Sequence, residues 1–282
     1  MTPAPTMHAY TGGRPFDASA PCVVFLHGAL NDHSVWTLAA RWFAHHGHAV
    51  LAPDLPAHGR SPGPALPDVG AMADAVLAML RARGVARAAL VGHSMGSLIA
   101  LEAAARAAAD ASQPRIDRLV MVGTAFPMRV SAALLDLSAR DPLAAIDQVV
   151  AFSHGGLAAK PSYPGPGSWL HGGSRALMRL VLARAQAAGD GAGVAHNLFH
   201  HDFQACDGYA GGLDAARAVA ASGAVRATLV LGGRDRMTAP KQAAELARTL
   251  GAAVRTLPRA GHALMQEDPE GMLSALREAL GA

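Results

Sequence analysis

Short, continuous apolar runs alternate with longer segments of helical periodicity along most of the chain. The clearest run is Cys22-Val23-Val24-Phe25-Leu26, which ends at His27-Gly28. A strand with both faces buried has this pattern, because neither face needs polar side chains. Similar runs predict strands at 49–53, 88–91, 119–123, 227–231 and 253–257, and weaker ones at 7–11 and 14–16.

Between these runs, apolar residues recur with the period of an amphipathic helix. After Asp68 they occupy positions 69, 72, 73, 76, 77 and 80, which share one helical face, and Gly84 ends the segment. Other helices are predicted at 34–46, 95–109, 213–221, 240–250 and 270–280. Regular alternation of strand and helix predicts an α/β fold in which helices flank a mostly parallel central sheet.

The alternation stops between about Thr124 and Asp207, where the pattern predicts no strand. Helical runs at 131–140, 142–152, 174–188 and 193–205 surround a Pro/Gly-rich loop at 160–173. We therefore predict a helical cap inserted after the sixth predicted strand. In this division, residues 125–206 form the cap, and residues 1–124 and 207–282 form the core.

Composition narrows the class of protein. Of the 282 residues, 51% are hydrophobic and 16% charged, which is typical of a globular chain and unlike a disordered one. The net charge of +3 comes from scattered arginines, so we expect no nucleic-acid partner. No apolar run reaches the roughly 18 residues of a membrane span, and we expect none. The start of the chain lacks a signal-peptide pattern, and two isolated cysteines favour the reducing cytoplasm.

The sequence Gly92-His93-Ser94-Met95-Gly96 lies between a predicted strand and a predicted helix. A Gly-x-Ser-x-Gly pattern at such a junction is what a nucleophile elbow requires. The two glycines let strand and helix pass close together, and the serine hydroxyl is exposed at the turn. The pattern therefore indicates Ser94 as a candidate nucleophile.

A serine hydroxyl needs a base within hydrogen-bonding reach, and the base needs a carboxylate to orient it. In an open parallel sheet such groups gather at the carboxyl ends of strands. Asp235 follows the predicted strand at 227–231, and His262 follows the strand at 253–257. Asp202 and Asp207 are alternative acids, although both lie at the end of the insertion rather than after a strand.

These motifs, in this order, resemble those of α/β-hydrolase-fold enzymes that carry a cap. The matching segments are His27-Gly28, the loop at 54–61, the elbow, and the loops of Asp235 and His262. The loop at 54–61 contains Ala57-His58-Gly59 where many relatives have Gly-His-Gly. We therefore expect this loop to differ from theirs in its local backbone shape.

The resemblance implies a role for each matching residue. Ser94 would be the nucleophile, His262 the general base and Asp235 the residue that orients it. The oxyanion hole would use the backbone N–H groups of Ala29 and Met95. The resemblance implies neither a cofactor nor a metal.

Several other side chains are candidates for binding or support. His93 and His58 are expected to pack and shape loops, and so is His27, which is also a candidate for substrate contact. His196, His200 and His201 could suggest a metal, but no third ligand has suitable spacing, so we expect no metal. Besides His27, the candidate substrate-binding residues are Phe126, Trp169, Phe199 and Phe203.

The function expected from these residues is hydrolysis of a carboxylic ester through an acyl-enzyme, on a small or medium apolar or aromatic acyl substrate. Three alternatives stay open. The same triad could hydrolyse a carbon–carbon bond of a vinylogous diketone, or act on a lactone or thioester. A non-catalytic ligand-binding protein of the same fold is the third, and an intact triad argues against it.

Overall fold

The computed structural model describes residues 7–156, 167–188 and 197–282. Its strands are β1 (Ala9–Tyr10), β2 (Cys22–Leu26), β3 (Ala49–Pro53), β4 (Arg87–His93), β5 (Arg115–Val122), β6 (Arg226–Gly232) and β7 (Ala253–Leu257). Its helices are α1 (Thr37–His45), α2 (Val69–Ala82), α3 (Met95–Ala109), α4 (Ala132–Arg140), α5 (Pro142–Ser153), α6 (Gly167–Ala188), α7 (Leu198–Gly208), α8 (Gly212–Ser222), α9 (Ala244–Leu250), α10 (Leu264–Glu267) and α11 (Pro269–Leu280). Short 3₁₀ turns precede α1 and α9 at His33–Trp36 and Pro240–Ala243.

The strands form one sheet in the order β1-β3-β2-β4-β5-β6-β7. Strand β1 runs antiparallel to β3, and the other neighbouring pairs are parallel. The α/β fold with a mostly parallel sheet is therefore confirmed. Because β3 and β4 lie on opposite sides of β2, the chain changes direction across the sheet at β2 and β4. Ligands of open parallel sheets bind at such a switch point, beyond the carboxyl ends of the strands.

Hydrophobic packing covers the sheet on both faces, as the continuous apolar runs predict. In β2, Val24 and Leu26 point to a cluster that includes α2, α3, α8 and α9. Val23 and Phe25 point to the opposite cluster, which includes α1 and α11. Both faces of the strand are thus shielded from water, and the two layers hold the carboxyl ends of the strands in place.

Helices α4 to α7 lie between β5 and β6, and we call them the helical insertion. Their side chains form a third cluster, which also contains Leu30 from the loop after β2. The insertion follows the fifth strand rather than the sixth, because the strand predicted at 14–16 does not form. The two preceding glycines, Gly12 and Gly13, have positive φ and turn the chain, and Pro15 has no N–H for a ladder.

Within the described ranges, none of the helices is both long and apolar enough to cross a lipid bilayer.

Candidate active site

Ser94 lies at a sharp turn between β4 and α3. Its φ of 53° and ψ of −121° belong to neither element, and its N–H donates to the Val122 carbonyl at 2.9 Å. A Cβ at position 92 would lie 2.0 Å from the Gly96 carbonyl oxygen, and one at position 96 would lie 2.5 Å from the Leu26 oxygen. Only glycine fits at both positions, which is the steric reason for the Gly-x-Ser-x-Gly pattern.

The loop after β2 packs against this turn. A Cβ at Gly28 would lie 3.2 Å from the Ser94 Cβ, so the backbone of Gly28 passes beside the serine, and Ala29 lines the same cavity. On the other side, Met95 is the first residue of α3, and its N–H has no partner inside the helix. Two backbone segments that can present N–H groups therefore flank Ser94, with the positive end of a helix dipole behind it.

Asp235 and His262 form a short, buried contact. The His262 Nδ1 lies 2.8 Å from the Asp235 Oδ2, although the two residues are 27 positions apart in sequence. A carboxylate on Nδ1 fixes the tautomer in which Nε2 carries the lone pair. The structure thus brings the predicted acid and base together at the ends of β6 and β7.

The Asp235 carboxylate is surrounded by donors. Its Oδ1 accepts from the backbone N–H groups of Met237 and Thr238, at 2.8 and 2.9 Å. Its Oδ2 accepts from the Thr238 hydroxyl at 2.8 Å, in addition to His262. Burial raises the pKa of Asp235, but the charge of His262 and these hydrogen bonds outweigh it and hold the pKa below its usual range.

The loop of His262 is held by long-range hydrogen bonds. The N–H groups of His262 and Ala263 both donate to the Ser153 carbonyl, at 2.7 and 3.1 Å, at the end of α5. The His93 Nε2–H donates to the His262 carbonyl at 2.8 Å. The Glu267 carboxylate accepts from Gly155 and Gly261, so it also ties the end of α5 to this loop. The helical insertion therefore helps to place the histidine.

Ser94 and His262 line one cavity of about 80 Å³, together with Gly28 and Ala29. Its wall on the side of the insertion is mainly apolar and includes Val149, Val150, Met178, Phe199 and Phe203. Among the described residues, no hydrogen bond joins the Ser94 and His262 side chains. Catalytic hydrogen bonds are often long before substrate binds.

The other predicted substrate-binding residues lie elsewhere. His27 is fully buried, and its Nε2 accepts from the Leu55 N–H at 3.1 Å, so it holds the loop after β3. Burial lowers its pKa to about 4, so it is neutral at neutral pH. Phe126 packs against Tyr209, with ring centroids 6.0 Å apart, and against the Gly212 backbone. The side chain of Trp169 lies outside the described residues.

Asp202, an alternative acid in the sequence, contacts a different histidine. Its Oδ2 accepts from His58 Nε2 at 2.9 Å and from the Leu30 N–H at 2.8 Å. Both side chains are almost completely buried. Asp207, the second alternative, accepts from the Val130 N–H at 3.0 Å. Asp235 is therefore the aspartate among these three that contacts His262.

The histidines considered as metal ligands are otherwise engaged. His200 Nδ1 lies 3.0 Å from the Ser138 hydroxyl, and His201 Nε2 lies 2.7 Å from the Leu66 carbonyl, while His196 lies outside the described residues. A different group, His8, His33 and Asp54, has ligand atoms within 4.8 Å of one another. Its Asp54 Oδ1 already accepts from the backbone N–H and the ring of His33, both at 2.7 Å. This carboxylate therefore acts in loop structure.

Sequence reasoning missed two contributors to the site. Thr238 lies three residues after Asp235, and its N–H and hydroxyl both bind the carboxylate. The aspartate-to-i+3 spacing of a local side-chain turn could have revealed it. Ser153 acts through its backbone carbonyl, for which no sequence signal exists.

A family model of the alpha/beta hydrolase family matches residues 23–275. The synthase of 2-succinyl-6-hydroxy-2,4-cyclohexadiene-1-carboxylate from Salmonella paratyphi B is 39% identical over 94 residues, 32% of this chain and 35% of that protein. A putative esterase/lipase of Haemophilus influenzae is 32% identical over 84 residues, 30% of this chain and 29% of that protein. The chain thus spans about a third of the length of the curated relatives it matches.

Solved structures match over almost the whole chain. An enol-lactonase from Burkholderia xenovorans LB400 has a TM-score of 0.77 and 21% identity, covering 98% of this chain and 96% of that one. An esterase from Exiguobacterium antarcticum has a TM-score of 0.74 and 16% identity, covering 98% and 95%. At these identities the likeness shows a shared fold.

Proposed function

The chain belongs to the alpha/beta hydrolase family, and from this premise we propose that it is a serine hydrolase that cleaves a carboxylic ester through an acyl-enzyme. The observation that carries the proposal is the 2.8 Å contact between Asp235 and His262 beside the cavity that Ser94 also lines. Nucleophile, base and orienting acid follow in the order expected for an elbow serine on a parallel sheet.

In the proposed reaction, Ser94 Oγ attacks the ester carbonyl while His262 Nε2 takes its proton. His262 then gives this proton to the leaving alcohol, and the C–O bond of the ester breaks. A water molecule, deprotonated by the same nitrogen, attacks the acyl-enzyme, and Ser94 recovers its proton. Asp235 stays ionised and stabilises the imidazolium, in agreement with its lowered pKa.

The proposed oxyanion hole consists of the N–H groups of Ala29 and Met95. The packing of Gly28 against Ser94 and the position of Met95 at the start of α3 support it. Each such donor is typically worth about 10²–10³-fold in turnover.

We further propose that the helical insertion is a lid and that it selects the acyl group. Phe199 and Phe203 bring aromatic surface from α7 into the cavity. The cavity of about 80 Å³ is well below the several hundred Å³ of sites for larger ligands. A compact apolar or aromatic acyl group fits these dimensions best.

A lactone is the second candidate substrate, because cleavage of its ring ester needs the same groups. The fold similarity to an enol-lactonase favours this alternative over a thioester. Carbon–carbon hydrolysis would use the same triad, and the products would distinguish it.

The reducing cytoplasm is the proposed location. Cys22 and Cys206 are both buried and free, and burial raises the pKa of Cys22 to about 12, so this thiol stays protonated and unreactive.

The test measures hydrolysis of p-nitrophenyl acetate, butyrate and octanoate and of a γ-lactone by the protein, by Ser94→Ala and by Ser112→Ala. Ser112 lies in an exposed turn and is the matched control. We expect the short esters to be cleaved fastest, Ser94→Ala to lose at least about 10³-fold in kcat, and Ser112→Ala to be unchanged. Full activity in Ser94→Ala would refute the mechanism.

A further inference from the structure

We propose that Asp202, on the helical insertion, positions the oxyanion loop, which comprises residues 28–31. The inference rests on the function proposed above. Asp202 is buried and lies outside the proposed triad. In this proposal it fixes the backbone that carries the Ala29 N–H.

The oxyanion loop is a tight turn with a strained backbone. The Asn31 N–H donates to the Gly28 carbonyl at 3.3 Å, and Leu30, the third residue of the turn, has a φ of 51°. Turns with positive φ at this position favour glycine, because a side chain there crowds the backbone. A buried leucine holds this conformation only if its surroundings impose it.

Two hydrogen bonds clamp the peptide group between Ala29 and Leu30. Its N–H, from Leu30, donates to Asp202 Oδ2 at 2.8 Å. Its carbonyl, from Ala29, accepts from the Asn31 side-chain amide at 2.9 Å. Rotation of this peptide would relieve the positive φ of Leu30, and an accompanying shift of the Ala29 Cα would move the adjoining peptide, which carries the Ala29 N–H. Asp202 opposes that rotation.

His58 is the second partner of Asp202 Oδ2. The His58 Nδ1 lies 3.0 Å from the Pro56 carbonyl, which can only accept, so Nδ1 carries a proton. Its Nε2 lies 2.9 Å from Asp202 Oδ2, which also accepts from the Leu30 N–H. A carboxyl group at Nε2 and a carbonyl at Nδ1 both favour the protonated ring. Burial lowers the pKa of His58, but the charge of Asp202, the hydrogen bonds to Asp202 and Pro56 and the charge of Asp54 together outweigh it and raise the pKa overall.

Asp202 connects the oxyanion loop to the wall of the cavity beside Ser94. Asp202 lies on α7 with Phe199 and Phe203, at the i, i+3 and i+4 spacing that places side chains on one helical face. Both phenylalanines line the cavity of Ser94. The helix that contacts the acyl group is thus the helix that holds the oxyanion loop, and displacement of α7 releases both.

The experiment compares Asp202→Ala, Asp202→Asn and the control Asp207→Ala in ester hydrolysis. Asp207 lies on the same helix and also accepts one backbone N–H, that of Val130, away from the oxyanion loop. We expect Asp202→Ala to lower kcat about 100-fold, as loss of one oxyanion donor does, with KM changed less than about threefold. The affinity for a trifluoromethyl ketone should fall by a similar factor. Asp202→Asn, which keeps an acceptor for Leu30, should recover about tenfold, and Asp207→Ala should keep its kcat.

A second readout does not depend on activity. Hydrogen exchange of the amides in residues 27–33 should be at least about tenfold faster in Asp202→Asn than in Asp207→Asn, and it decides the matter if Asp202→Ala fails to fold. Unchanged exchange, or a folded Asp202→Ala with normal kcat, overturns the positioning role even if Ser94→Ala is inactive. An active Ser94→Ala instead overturns the hydrolase mechanism, whatever the exchange shows.

Discussion

Two buried histidine–aspartate pairs, His262–Asp235 and His58–Asp202, have nearly the same contact distance, 2.8 and 2.9 Å. They differ in what the second ring nitrogen faces. His262 uses Nδ1 for Asp235 and lines the cavity beside Ser94. His58 uses Nε2 for Asp202 and Nδ1 for the Pro56 carbonyl, and its side chain is 1% exposed.

This difference in the second ring nitrogen suits His262 to proton transfer and His58 to structural support. A histidine exchanges protons with a substrate only when one nitrogen is accessible and unoccupied. His262 Nε2 has no partner among the described residues and meets this condition, whereas both His58 nitrogens contact buried oxygen atoms. The aspartates differ too, since Asp235 accepts four hydrogen bonds while one oxygen of Asp202 has no partner among the described residues. In the proposed mechanism, the same pair of residue types serves proton transfer in one place and backbone geometry in the other.

The largest effect should come from Asp235→Asn. An asparagine would favour the wrong His262 tautomer, so we expect kcat to fall about 10³–10⁴-fold. Asp202→Asn should lose far less, about tenfold, because it keeps an acceptor for the Leu30 N–H. Steady-state kinetics with p-nitrophenyl butyrate measures both variants. Equal losses would mean that the two pairs are not functionally distinct.

The His262–Asp235 and His58–Asp202 pairs should lose their contributions to the free energy of unfolding at opposite ends of the pH scale. The folded pKa of Asp235 lies below its unfolded value of about 4, so its contribution is present above that value and is lost as pH falls through the folded pKa. The folded pKa of His58, which faces Asp202, Asp54 and neutral His27, lies above its unfolded value of about 6.5. Its contribution is present below that value and is lost as pH rises through the folded pKa.

Thermal unfolding of the two variants measures this contrast. Relative to the unmodified protein, we expect each to be destabilised by about 1–3 kcal/mol at pH 6. The deficit of Asp235→Asn should shrink towards pH 3, and that of Asp202→Asn should shrink towards pH 10. If both deficits shrank at the same end, the assigned ionisation states would be wrong.

The smallest effect should come from Thr238→Val, which removes the hydroxyl that donates to Asp235 Oδ2. One of four donors is lost, so we expect kcat to fall about three- to tenfold and the pKa of Asp235 to rise. The acid limb of the pH–rate profile should then shift upward. Thr238→Ser keeps the hydroxyl and should restore both kcat and the acid limb of the pH–rate profile. An unchanged pH–rate profile in Thr238→Val would show that Thr238 does not contribute to the site.

The sequence by itself determined the features that depend on neighbours along the chain. Continuous apolar runs predicted the buried strands, and the elbow followed from Gly92, Ser94 and Gly96, because strand–helix crowding allows only glycine at the two flanking positions. The placement of Asp235 and His262 after strands predicted their meeting, since parallel strands end at one edge of the sheet.

Only the tertiary structure decided which distant segments meet. The pairing of Asp202 with His58 and Leu30 spans 144 and 172 positions, and packing of the helical insertion brings it about. The same packing places Phe199 and Phe203 in the wall of the cavity, whereas Phe126 packs against Tyr209. Ala57 takes a φ of 68°, a conformation that favours glycine and that its surroundings impose against its own preference. Local steric constraints depend on residues that are neighbours in sequence, whereas long-range contacts depend on how whole helices and strands pack together.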